Sequence, residues 1–200
     1  MKEITDKIIS HLGDSIKRKQ DNEKYGTENK EDLDEDEFEA LKDENDVEDE
    51  FNCALAELIG GLFESHKEMA LHLVDTIYLE ILPNVLTDKV TSKMNRFGLF
   101  LVDDMIEYLG IEYIPKIWPE MADIILNFAV HKVAETRQAA VYGIGVLAEK
   151  SQENFKPLAS RCLEALYKAL SMKKCSEDTE KTLAYARDNT VAAMGKILKS

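Results

Sequence analysis

The sequence predicts an all-α protein built from stacked antiparallel helix pairs, and three observations carry that reading. Only 4 Pro and 9 Gly occur in 200 residues, which is too little turn chemistry for a many-stranded β protein. Ala, Leu, Glu, Lys and Met, the residues helices prefer, are plentiful. Apolar residues recur at helical period in segments divided by short breaks, and the segments themselves return at a near-constant interval.

The interval is read from the second helix of each pair. With Arg96, Arg137 and Arg187 superposed, Asp104, Gly145 and Gly195 fall eight positions on, and Ile106, Leu147 and Ile197 ten positions on. Extending the frame backwards brings Cys53, Gly61 and Phe63 into register, so the spacings are 43, 41 and 50. Periods in the forties are those of HEAT or armadillo arrays. The expected fold is therefore a HEAT-repeat α-solenoid, in which Arg96, Arg137, Arg187, Gly145 and Gly195 are structural repeat positions.

Helices are expected near 3–19, 50–65, 68–86, 90–109, 113–130, 134–150, 155–172 and 179–199, joined by connections short enough to make neighbours antiparallel. The first helices repeat as well. Tyr113-Ile114-Pro115-Lys116 and Phe155-Lys156-Pro157-Leu158 each open an amphipathic helix with a proline in its first turn, where no helix hydrogen bond is lost. Ile117, Met121, Ile124, Ile125 and Phe128 form one apolar stripe, and Leu158, Cys162, Leu163, Leu166 and Leu170 another. Ala139, Ala140, Gly143 and Gly145 let adjacent helices approach closely. In the last helix Thr190, Val191, Ala192, Met194, Ile197 and Leu198 are apolar enough to receive a further repeat, so the sequence is expected to be a piece of a longer solenoid.

Charge is unevenly placed. The net charge is −14, and residues 20–50 hold 16 Asp or Glu against 3 Lys. That stretch repels itself and has few apolar residues to bury, so it is expected to be a solvated, disordered acidic insert. The expected organisation is a first helix of a HEAT repeat at 1–19, a flexible acidic loop at 20–49, and HEAT repeats over 50–200. The insert either solubilises the chain or mimics an acidic partner and screens a basic-peptide site. Asp32, Asp34 and Asp36 resemble the start of a calcium loop, but Glu37 and Asp43 stand where its glycine and its bidentate glutamate belong.

Several function classes are excluded or weakened. An acidic chain lacks the basic face that direct nucleic-acid binding needs. No apolar run reaches the roughly 18 residues of a membrane span, and residues 1–6 do not begin a secretory signal, so a soluble, non-secreted protein is expected. Cys53, Cys162 and Cys175 form no CxxC, and His11, His66, His72 and His131 form no HExxH; no cofactor and no metal is expected. Gly143-Ile144-Gly145 lies inside a helix and is not a dinucleotide fingerprint. Glu57, Glu64, Asp103, Asp104 and Glu107 offer carboxylates but no acid/base pair in a marked pocket, so an enzyme is not expected. Asp103, Asp104 and Glu107 at i, i+1 and i+4 make a negative patch suited to Lys or Arg on a partner. Asn189 can bond an extended peptide backbone, and Trp118 is either core, groove edge or a recognition anchor.

The stretch Arg137-Gln138-Ala139-Ala140-Val141-Tyr142-Gly143-Ile144-Gly145-Val146-Leu147-Ala148 resembles the karyopherin-β (importin-β) nuclear transport receptors, nearest their importin-5 (karyopherin β3) branch. Residues Asp103 to Tyr108 resemble that branch's paired-acidic helix, and Asp188 to Ile197 its Glu-Asn-x-x-x-Ala-x-Gly-Lys-Ile helix. A basic helix end at Lys17-Arg18-Lys19, then an acidic insert, then an apolar helix follows the same order as that branch's later repeats. The resemblance implies a segment from the carboxyl-terminal half of a receptor that binds basic or disordered cargo proteins. Such a receptor carries cargo through nuclear pores, contacts pore proteins, releases cargo to Ran-GTP, and shuttles between cytoplasm and nucleus. The family's acidic residue in the turn before the repeat arginine is missing from 131–136 unless Glu135 replaces it, which would leave Arg137 without its cross-repeat partner. The competing reading is a HEAT-repeat scaffold or regulatory subunit with an acidic docking arm.

Overall fold

The structure, a computed structural model, describes residues 2–200. Among the described residues there is no strand. Helices α1 (Lys2–Glu28) and α2 (Glu35–Ser65) form the first pair. Next, α3 (Lys67–Thr76) continues through a π-helical turn, Ile77–Ile81, into α4 (Leu82–Val85). Its partner α5 (Ser92–Asp104) continues through a second π-helical turn, Met105–Leu109, into α6 (Gly110–Tyr113). Helix α7 (Trp118–Phe128) pairs with α8 (Ala134–Lys150), and α9 (Lys156–Ser171) with α10 (Glu180–Ile197).

The second helices α2, α5, α8 and α10 pack side by side in chain order, while α1, α3–α4, α7 and α9 cover one side of that layer. The architecture is an all-α HEAT-repeat solenoid. A continuous apolar core runs through it from Ile8, Leu12 and Ile16 to Ile197. Burial on both sides explains the composition of α8: Ala139, Ala140, Gly143, Ile144, Gly145 and Leu147 are all buried, so an amphipathic pattern is weak there and small residues let its neighbours close in. At Gly145 an added Cβ would lie 2.9 Å from Lys196 of α10, whereas Gly195 faces open space. Gly110 ends the second π-helical turn at φ 66°, ψ 179°, a conformation open essentially to glycine alone.

Four expectations need correction. The acidic stretch is helical except for residues 29–34, and the proposed boundary at position 19 falls inside α1. Helix wins over charge repulsion for local and tertiary reasons. Asp34 and Glu37 form a reciprocal capping box, and Glu35, Asp36 and Glu37 complement the positive end of α2. Arg18 pairs with Glu48 at 2.6 Å, Lys19 pairs with Asp49, and Lys93 pairs with Asp46 at 2.5 Å. Leu41 lies directly over Gly26, where a Cβ would come within 2.7 Å of its Cδ2.

The proline in the first turn of α7 is Pro119, because the chain turns through 114–117 before the helix begins and leaves Pro115 outside it. On α9, Cys162 and Leu166 are buried but Leu163 is exposed, since the buried stripe is narrower than the apolar one. Trp118 is 3% exposed with its indole N–H buried, which makes it a core residue with no surface to present as an anchor.

Candidate functional site

The layer of second helices carries a groove of about 450 Å³ formed by α2, α5, α8 and α10. Helical spacing aims its lining residues. From α5 come Arg96, Phe100, Asp103 and Asp104, at i, i+4, i+7 and i+8. Glu135, Gln138, Ala139 and Tyr142 repeat nearly the same spacing on α8, Cys53, Ala56 and Glu57 line it from α2, and Asn189 from α10. Four carboxylates thus face one cation, Arg96, and Arg96 donates from Nη1 to Glu135 at 2.6 Å. The groove lining is therefore acidic in composition.

Asp103 and Asp104 were expected on the surface, but the structure buries Asp103 to 3% exposure and leaves Asp104 and Glu107 half-buried. Burial is possible because of two glycines. The Asp103 carboxylate sits over Gly143 of α8 and that of Asp104 over Gly60 of α2, each filling space a Cβ would occupy. Neither Asp103 oxygen has a hydrogen-bond donor. Burial first, then the nearby Asp104 and Glu107 carboxylates, pushes the Asp103 carboxyl well above its usual range. Burial, reinforced by Glu107, pushes Asp104 up to about 7. Glu107 lies in the second π-helical turn and accepts a hydrogen bond from the Tyr142 hydroxyl at 2.8 Å. Burial and that bond raise the tyrosine, and burial raises the Cys53 thiol.

The three aligned arginines occupy three environments. Arg96 joins α5 to α8 through Glu135. Arg137 is 1% exposed and donates from Nη1 to the carbonyls of His131 at 2.7 Å and Lys132 at 3.0 Å. Arg187 is exposed. The cross-repeat acid comes from the following loop: Asp178 accepts from the N–H of Ala134 at 2.7 Å and of Cys175 at 2.9 Å, capping α8 from the next repeat. Val133, at the N-cap position of α8, makes no side-chain cap.

Sequence reasoning named Asp103, Asp104, Glu107 and Asn189 as partner contacts and Arg96 as a structural repeat position, and it did not assign Phe100, Gln138 or Tyr142 to the site. Carrying the phase of α5 across to 135–142 would have found them, since both helices show the same face.

No protein-family model matches the chain. It is 25% identical over 188 residues, 88% of its length, to a probable importin-5 homolog of Dictyostelium discoideum. The relationship is importin-like and distant. The matched part is 17% of that relative, so the chain spans a small share of its length. No group of three His, Cys, Asp or Glu among the described residues is placed to hold a metal, and no helix among them is long and apolar enough to cross a membrane.

Proposed function

We propose that this chain is the HEAT-repeat segment of a nuclear transport receptor and that its second-helix groove binds basic or disordered cargo. The supporting observation is the groove's acidic lining: Glu57, Asp103, Asp104 and Glu135 against Arg96 alone, with Arg96 already committed to Glu135. The importin-like relationship supports the same assignment. In this reading the receptor shuttles between cytoplasm and nucleus, with Ran-GTP and pore proteins engaged by the full-length receptor. The segment acts by binding and not by catalysis. No His lines the groove among its described residues, and its thiol, Cys53, is pushed away from the reactive thiolate form.

A second reading makes the acidic hairpin the docking arm of a scaffold. Its favouring observation is that residues 20–28 and 35–50 are held as helices with Phe38 52% and Val47 64% exposed.

Fluorescence anisotropy with a labelled Lys-rich import-signal peptide separates the two at physiological salt. The chain is expected to bind it, and Glu57→Lys with Glu135→Lys is expected to weaken binding about tenfold or more, equivalent to about 1.4 kcal/mol. Absence of binding, or binding indifferent to both reversals, overturns the groove reading.

A further inference from the structure

Polar contacts along one edge of the array break its one-dimensional order. In stacked repeats each pair ordinarily touches only the pair before it and the pair after it. Here the connection 172–179, which enters α10, reaches past its neighbour. The Ser92 hydroxyl at the start of α5 donates to Glu177 Oε2 at 3.0 Å, a bond that joins the second pair to the fourth. The same carboxylate stands 3.7 Å from Lys132 in the turn before α8. Asp178, 6% exposed, accepts from the N–H of Ala134 at the start of α8.

Extra chain makes the reach possible. The repeat spacing grows from 41 to 50 residues at the last pair, and the connection into α10 spans 172–179, whereas those into α5 and α8 span only 86–91 and 129–133. The added residues are tied down. The Asp178 N–H donates to the Cys175 carbonyl at 3.2 Å, and the Cys175 N–H donates back to Asp178 Oδ2 at 2.9 Å, so the turn that carries Glu177 is closed from both ends. Ala134, Leu183 and Ala186 form a small apolar cluster of their own at the base of this turn. At the far end, Thr136 of α8 donates to the Ser92 carbonyl at 3.1 Å, and Lys93 pairs with Asp46 and Asp49 of α2. The start of α5 is thus a junction of all four pairs.

We infer that residues 172–179 are a strap that fixes the spacing of α5, α8 and α10, and with it the curvature of the array, with the Glu177–Ser92 bond as its far anchor. Without that bond the strap stays on α8 through Asp178 but no longer ties the fourth pair to the second, and the two can swing apart about α8. Arg96 and Glu135, which bridge α5 to α8 across the groove, lie close after Ser92 and Ala134 in the chain, so the strap also sets how widely that end of the groove stands open. The strap acts whatever fills the groove, and its test needs no partner.

Amide exchange of the whole chain, followed by NMR at Ala134, Cys175 and Asp178, reads the strap directly, and small-angle X-ray scattering reads the curvature. Ser92→Ala, a change two pairs away from the strap, is expected to speed exchange at those three amides about fivefold and to raise the radius of gyration. Glu177→Ala is expected to do the same, and the double variant to go no further than Glu177→Ala, because both substitutions break one bond. Glu177→Gln, which keeps an oxygen for the Ser92 hydroxyl, is expected to behave as wild type. Unchanged exchange in Ser92→Ala overturns the inference, since the turn would then be held by its own neighbour alone. Faster exchange at a constant radius of gyration overturns the control of curvature. Glu177→Gln as fast as Glu177→Ala overturns the anchor on α5 and assigns the hold to Lys132.

Discussion

Arg137→Ala is expected to lower the unfolding free energy by about 3 kcal/mol, more than any surface substitution should. The guanidinium is 1% exposed and holds two carbonyl oxygens of the turn before α8, at 2.7 and 3.0 Å. Removing it orphans both acceptors, opens a cavity, and leaves the buried Asp178 without the positive charge that favours its ionised form. Burial opposes the Asp178 charge, yet the N–H groups of Cys175 and Ala134, with Arg137, hold its carboxyl below the usual range. The effect should spread across the repeat boundary, because Asp178 also caps α8. Urea unfolding followed by circular dichroism measures the loss; a change under about 1 kcal/mol would mean that the turn does not depend on Arg137.

The second expectation runs against ordinary acid denaturation. Asp103 and Asp104 titrate higher in the folded state than in the unfolded chain, so the folded protein takes up their protons first as pH falls. Their ionisation is thus a cost above pH about 7, and stability should rise on acidification from pH 8 through that value. It should fall again at lower pH, where the depressed carboxyls of Asp46, Glu48 and Asp178 lose their native partners. Relief of the −14 net charge has the same sign near neutrality, so a variant is needed to separate the two. Asp103→Asn removes an ionisable group from this buried pair and is expected to stabilise the chain at pH 8 by on the order of 2 kcal/mol and to flatten the rise. Destabilisation by that variant at pH 8 would show that the buried carboxylate has a donor in solution.

The stacked fold was legible because burial writes period into sequence. Helix α8 occupies the residues read for it, 134–150, and the eight-residue step from Arg96 to Asp104 puts both on one helix face. The acidic helices were not legible, because Arg18, Lys19 and Lys93 neutralise them from positions up to 47 residues away. Local charge density carries no record of such partners. Nor did alignment show that Arg96 and Arg137 differ, since one meets a side chain on a neighbouring helix and the other its own turn. The seats of Asp103 and Asp104 had the same obscurity. Gly143 was read as a packing residue and Gly60 not at all, yet each marks where a carboxylate enters a helix interface. The two π-helical turns also leave no periodic trace, because five-residue turns shift the buried face without changing composition.

Hydrogen–deuterium exchange with and without a Lys-rich peptide at physiological salt tests the central claim most directly, because it reports where a basic partner sits. The account predicts slower exchange over residues 96–109 and 135–142, with residues 20–50 unchanged. Protection confined to residues 20–50 would contradict it and assign binding to the acidic hairpin.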